Sequence, residues 1–143
     1  MFIRKATTAD YPEIMRVWES SVLATHHFLA KTDFEYFKSI IPGEVLPSLT
    51  LYVIGEDRIA GVLGIAGDTT EMLFIEAESR GKGYGTLLAQ FAIELQIKKV
   101  DVNEQNEQAV GFYRKMGFVQ VGRSDVDGLG KPYPLLHFSI QAI

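Results

Sequence analysis

The sequence predicts a mixed α/β (α+β) fold, with helices packed against one central sheet. Three observations carry this. Residues 50–54 and 59–65 are β-rich and separated only by Gly55-Glu56-Asp57-Arg58, the composition of a hairpin turn. Residues 72–75 and 100–103 are strand-like and flank a stretch of helical periodicity; a helix crossing between two strands implies a parallel pair. Residues 118–121 and 135–140 supply further strand-like runs that can close the sheet.

Taken in order, residues 2–6 (Phe-Ile-Arg-Lys-Ala) read as a first strand. Asp10 followed by Glu13 has the spacing of a capping box, with Pro12 in the first helical turn, where its missing N–H is tolerated. Ile14, Val17, Trp18 and Val22 then mark the buried face of a helix. A second helix is expected over residues 33–41, with Phe34, Phe37, Ile40 and Ile41 inward, ended or bent by Pro42-Gly43. The run Met72-Leu73-Phe74-Ile75 is short and apolar, as a buried strand requires. Tyr84, Leu87, Leu88, Phe91, Ala92 and Leu95 share one face of the next helix. The last helix ends at Gly117, a residue suited to the left-handed C′ position. No repeat, linker or low-complexity segment interrupts the chain, so residues 1–143 are expected to form one domain.

A chain of 143 residues can bury a proper core without disulfides or metals. It has no cysteine, which rules out a disulfide framework and a thiolate metal site. His26, His27 and His137 do not stand at metal-ligand spacing, and no metal is expected. A net charge of −4 argues against nucleic acid as a partner. Residues 1–5 carry no apolar signal region and no run approaches a membrane span, so the expectation is a cytoplasmic protein without membrane association.

Residues 80–85 read Arg-Gly-Lys-Gly-Tyr-Gly, between the apolar strand and the helix that follows. Glycines here let backbone N–H groups approach a ligand and adopt unusual φ. The helix behind them offers unpaired donors and a positive partial charge, so the junction suits a phosphate. A P-loop is excluded, because Gly-x-x-x-x-Gly-Lys-Ser/Thr is absent; a dinucleotide fingerprint is excluded, because the sixth position is Thr86 or Leu88 rather than glycine. Taken alone, the junction fits either a phosphate site or a tight turn with no ligand.

The spacing that does fit is Arg/Gln-x-x-Gly-x-Gly/Ala, met by Arg80, Gly83 and Gly85. Residues 73–85 thereby resemble the strand, loop and helix of the GNAT superfamily, the acetyl-coenzyme A-dependent N-acetyltransferases. Residues 106–118, Asn-Glu-Gln-Ala-Val-Gly-Phe-Tyr-Arg-Lys-Met-Gly-Phe, are similar to that family's second motif, Asn-x-x-Ala-x-x-Phe-Tyr-x-x-x-Gly-Phe. The motifs are independent and correctly ordered, and the resemblance covers essentially the whole chain. Ala77 stands where the family often has proline, a departure that removes only a loop preference. The stretch from Gly122-Arg123-Ser124 to Pro132-Tyr133-Pro134-Leu135 is similar to a group of small stand-alone bacterial members.

The resemblance implies an acyl-CoA N-acyltransferase fold with a central mixed, mostly antiparallel sheet. It implies acetyl-CoA as donor and an amine acceptor that attacks the thioester directly in a ternary complex. The amides of Arg80, Gly81, Lys82, Gly83, Tyr84, Gly85 and Thr86 would take the pyrophosphate; the Lys82 side chain either adds charge or is a solvated loop lysine. Leu73, Phe74 and Ile75 would pair through their backbone with the pantetheine arm. Asn106 would bind that arm or brace the splay of the strands; its alternative is to cap the helix it precedes. Tyr113 matches the family's tyrosine that points at the coenzyme sulfur, which makes it the candidate general acid. It also shares a helix face with Ala109, Phe112 and Met116, so packing is the alternative.

Acetyl transfer also needs a neutral amine. A primary amine with a pKa of about 10.4 is neutral only about once in two thousand at pH 7, a cost of about 4–5 kcal/mol unless a base or a dry site helps. Glu71, in phase with Leu73 and Ile75, is one candidate base; its alternative is an exposed carboxylate at a strand start. His26 is the other, in the segment that shapes the acceptor site in relatives; its alternative is an ordinary loop residue. His137 reads as a packed or edge-exposed strand residue. With no cysteine, an acetyl-cysteine intermediate is excluded. Rival readings are a CoA-binding sensor without turnover, a packing-only interaction domain, and an enzyme using another acyl donor. The acceptor, whether protein N-terminus, lysine, antibiotic or polyamine, is not encoded in any motif. The aromatic-rich C-terminal segment fits a homodimer contact or a strand buried in its own sheet.

Overall fold

Residues 3–141 are described by the computed structural model, which forms one seven-stranded sheet. Phe2, expected in the first strand, lies outside the described residues. Strands β1 (Ile3–Lys5), β2 (Thr50–Gly55), β3 (Ile59–Ala66) and β4 (Thr69–Ile75) pair antiparallel in chain order. β5 (Lys99–Asn103) then joins β4 in parallel, and β7 (Leu135–Ser139) lies antiparallel between β5 and β6 (Val119–Ser124). The sheet is mixed and mostly antiparallel, as expected.

Four helices cover it: α1 (Tyr11–Thr25), α2 (Lys31–Ile40), α3 (Tyr84–Glu94) and α4 (Glu107–Met116). Alternation along the strands sends neighbouring residues to opposite faces. Val53 and Val62 pack with Ile14, Val17, Trp18 and Val22 of α1. Their neighbours Ile54 and Leu63 pack with Leu88 and Ala92 of α3. On this second face α4 contributes Tyr113 to a cluster with Val100, Val102, Leu136 and Phe138. Phe138 and Tyr133 are buried within the chain itself, so the aromatics near the C-terminus are spent on intramolecular packing.

Three local expectations need correction. Asp10 does not form a capping box with Glu13: its carboxylate turns back, accepting from the Thr7 N–H and from Arg4, while Glu13 pairs with Arg16. The charged partner one strand away outcompetes the helix N–H groups. The second helix begins earlier, at Lys31, and passes into a wide turn, Ile41–Val45, that takes up Pro42 and Gly43. Only Ile41 of its expected apolar face is fully buried. Leu95 is exposed at the α3 C-cap, while Ala89, outside the expected face, is buried. Gly117 does adopt the left-handed C′ conformation, with φ 106°.

Candidate active site

β4 and β5 stay in register for two pairs only, Thr69 with Lys99 and Thr70 with Val100. Beyond them β4 runs on to Ile75 and β5 to Asn103 with no further pairing. The separation starts at a bulge. Met72 faces Gly64 and Thr70 faces Ile65 on β3, which leaves Glu71 as the extra residue. A bulge bends its strand and ends regular pairing, which accounts for the divergence at this point. The opening is a cavity of about 510 Å³. His26, Glu71, Leu73, Phe74, Ile75, Arg80, Gly81, Gly83, Gly85, Thr86, Asn106 and Tyr113 line it; Lys82 and Tyr84, also singled out from the sequence, do not.

At one end stands the glycine junction. Gly81 and Gly83 have φ 81° and 85°, in the left-handed region that glycine enters without cost. Gly83 caps α3, and its carbonyl accepts the first helical bond, from the Leu87 N–H. The amides before Leu87 have no carbonyl one turn earlier, and the helix dipole adds positive charge beside Arg80. This cradle fits a pyrophosphate. Lys82 is exposed on the loop.

Glu76, which sequence reasoning missed, anchors that loop. It is 1% exposed and accepts from Arg16 at 2.7 Å, Arg58 at 3.0 Å and the Ser79 hydroxyl at 2.5 Å. Burial pushes its carboxyl up, but the bonds from Ser79, Arg16 and Arg58 prevail and hold it below the ordinary range. The next N–H, of Ala77, donates to Ser20 Oγ on α1 at 2.9 Å. Proline, frequent here in relatives, has no such N–H, so Ala77 exchanges a stiff loop for a hydrogen bond to the helix.

On the wall formed by α4, Tyr113 is buried edge-to-face against Phe112 and Phe118, with centroids at 5.0 and 5.3 Å. Burial raises its phenol far above the ordinary value, so it stays protonated. Its hydroxyl has no protein hydrogen bond among the described residues. No fully enclosed side-chain polar atom is left unpartnered there, so this hydroxyl opens on the cleft. Asn106 is the α4 N-cap, its Oδ1 accepting from the Ala109 N–H at 3.2 Å, and it lines the cavity as well.

The opposite wall holds the candidate bases. His26 ends α1, with its ring against Phe28 and Phe74. Thr25 donates its hydroxyl proton to the Ser21 carbonyl, so its Oγ1 must accept from His26 Nδ1, 2.6 Å away. His26 Nε2 is therefore the bare nitrogen. Burial, then the charges of Arg80 and His27, lower this imidazole to about 4.

Glu71 is not in phase with Leu73 and Ile75, contrary to expectation. Those two pack toward α3, whereas the bulge turns Glu71 to the other face, beside Asp101 and His137. Burial and then the Asp101 charge raise its carboxyl above the ordinary range. Asp101 lines the cavity and was not singled out from the sequence, although its place between Val100 and Val102 sets it on the face away from α4. Asp127, from the loop before β7, lines it too. Among the described residues no group of side chains could hold a metal ion, and no helix is long and apolar enough to cross a membrane.

Parallel strands that part beside a helix N-terminus, with a tyrosine on the following helix, form the geometry that the two sequence motifs implied. The family model of the acetyltransferase (GNAT) domain matches residues 47–120. The chain belongs to this family, whose members transfer acetyl from acetyl-CoA to an amine, and it is an acyltransferase of that class. Among its relatives is the peptidyl-lysine N-acetyltransferase YjaB of Salmonella typhimurium, 40% identical over 138 residues, 94% of each chain. YjaB of Escherichia coli is 40% identical over 140 residues, 96% of this chain and 95% of its own. The solution structure of the apo form of the Escherichia coli protein matches with a TM-score of 0.89, over 99% of this chain and 98% of that one, at 39% identity. PaiA N-acetyltransferase from Thermoplasma acidophilum, solved in complex with coenzyme A, shares the fold: TM-score 0.73 at 19% identity, over 95% of this chain and 96% of that one.

Proposed function

We propose that the protein acetylates the side-chain amine of lysine, using acetyl-CoA, by direct attack in a ternary complex. The observation that carries this is the division of charge in the cleft. Its one arginine, Arg80, stands at the glycine junction, while Glu71, Asp101 and Asp127 line it elsewhere. Carboxylates in a partly dry cleft attract an ammonium and repel an anionic acceptor. The name of the YjaB relatives, peptidyl-lysine N-acetyltransferase, points the same way.

In this reading the amides of residues 80–86 hold the pyrophosphate. The edge of β4 that β5 leaves free, at Leu73, Phe74 and Ile75, pairs with the pantetheine amides. Glu71 takes the proton from the acceptor, because its raised carboxyl is the better base; an imidazole as low as about 4 is a poor one, so His26 serves as a neutral wall. The amine nitrogen then forms its bond to the acetyl carbon, the carbon–sulfur bond breaks, and the proton that the nitrogen sheds as it becomes an amide goes to the departing sulfur, which leaves as the thiol. Tyr113 donates a hydrogen bond to the departing thiolate, whose conjugate acid has a pKa near 8.5 and needs only modest help. The whole chain acts as one domain.

Calorimetric titration with acetyl-CoA, followed by thiol release with a lysine peptide blocked at its N-terminus, tests this. Saturable binding at one site and thiol release are expected. Release with a free N-terminal amine or spermidine but not with the lysine peptide would reject the acceptor; no binding of acetyl-CoA by folded protein would reject the donor site.

A further inference from the structure

Three adjacent strands carry a hydrogen-bonded row of which the reaction described above uses only Asp101. His137 on β7 stands directly across from Asp101 on β5, with its Nδ1 2.6 Å from Asp101 Oδ1. Its Nε2 lies 2.7 Å from Ser124 Oγ on β6. Asp101 reaches the cleft; His137 and Ser124 stand behind it and do not line the cavity. Glu71 of β4 completes the group on this face.

We propose that His137 is a positioning residue for the acceptor: braced by Ser124, it engages one oxygen of Asp101 and leaves the other to receive the acceptor's ammonium. The inference rests on the lysine reading and adds the device that makes the cleft selective for a charged amine. Both imidazole nitrogens are committed, Nδ1–H donating to Asp101 and Nε2 paired with the serine hydroxyl, so the ring is held from both sides. Asp101 Oδ2 has no hydrogen-bond partner among the described residues and is the oxygen available to a ligand. An independent feature marks the same cleft as the reacting centre. Tyr113, 6% exposed, aims a hydroxyl without a protein partner into it. A carboxylate pinned at one oxygen presents a fixed acceptor, whereas an unpinned one must be ordered when the ligand arrives. Glu71 adds the second charge and, held above the ordinary carboxylate range, is the group able to take the proton the ammonium gives up.

The experiment compares two acceptors: the blocked lysine peptide, cationic at neutral pH, and methoxyamine, a weak base that is uncharged there. His137→Leu is expected to raise KM for the lysine peptide about tenfold, with kcat within about twofold and methoxyamine turnover unchanged. His137→Gln can donate to Asp101 and accept from Ser124, and should return KM to within about threefold of the wild type. Ser124→Ala should raise KM about threefold. An unchanged lysine KM in folded His137→Leu, or equal losses for both amines, overturns the proposal; should that variant not fold, an unchanged KM in Ser124→Ala overturns it. Wild-type protein that consumes methoxyamine but not the lysine peptide removes the lysine reading itself, and this inference with it.

Discussion

The two ends of the cleft are made of different materials. The end proposed for the donor is backbone: glycine amides, a helix terminus and a strand edge, all within one continuous stretch of chain. The acceptor end is side chains, brought from α1, β4, β5 and the loop before β7. A backbone site tolerates most side-chain changes and fails when φ is disturbed. A side-chain site tolerates backbone adjustment and fails when one charge or one hydrogen bond is removed. Substitutions at the two ends should therefore fail in different measurements.

The largest effect is expected at Gly83. Valine there would be forced to φ 85°, a conformation a β-branched residue adopts only under strain; a Cβ at this position meets open space, so the cost lies in the backbone and in the loop that must shift to relieve it. Gly83→Val should weaken acetyl-CoA binding about hundredfold by calorimetry, and unchanged affinity would show that this loop is not the donor site. Next is acid stability. His26 titrates at about 4 in the folded protein against 6.5 ordinarily, because burial and then Arg80 and His27 disfavour its charge. The unfolded chain binds that proton between pH 6.5 and 4 while the folded chain does not, so stability is full above this window. It falls as pH drops through the window, by up to about 3 kcal/mol. Urea unfolding of wild type and His26→Gln across that range should show a shallower fall in the variant; parallel curves would mean the imidazole is not buried as described.

Tyr113→Phe should lower kcat about ten- to hundredfold and leave acetyl-CoA affinity within about twofold, since only the hydroxyl facing the cleft is lost. Equal kcat would leave Tyr113 as packing. Glu71→Gln should lower kcat/KM for the acceptor about tenfold without touching donor affinity; a loss in acetyl-CoA binding instead would put Glu71 at the wrong end. The smallest effect is expected at Lys82, exposed and outside the cleft, where alanine should change acetyl-CoA affinity less than about twofold.

The same contrast explains what the sequence could show. The glycine junction beside the cleft was legible because a glycine pattern needs neighbours in the chain, and Gly81, Gly83 and Gly85 are such neighbours. The sheet was legible from the Gly55–Arg58 turn and from the helix crossing between residues 75 and 100. The acceptor end was only partly so. His26 and Glu71 were named, but the phase of Glu71 was misread, because a bulge is set by pairing with Gly64 and Ile65 rather than by the local pattern. Asp101 and His137 meet only because β7 inserts beside β5, a pairing that no spacing of residues announces. Glu76 escaped notice because its partners, Arg16 and Arg58, are remote in the chain.

That insertion also governs when the enzyme comes into being. β5 has two register partners on β4 and five on β7, so most of its ladder waits for β7. On a ribosome the glycine loop, α3 and α4 all emerge before residues 135–139, yet the floor beneath them has no closing strand until those residues arrive. A chain released early would carry both family motifs and an open sheet edge at β5, a template for the wrong partner. The order of synthesis thus leaves β5 mostly unpaired until β7 has emerged.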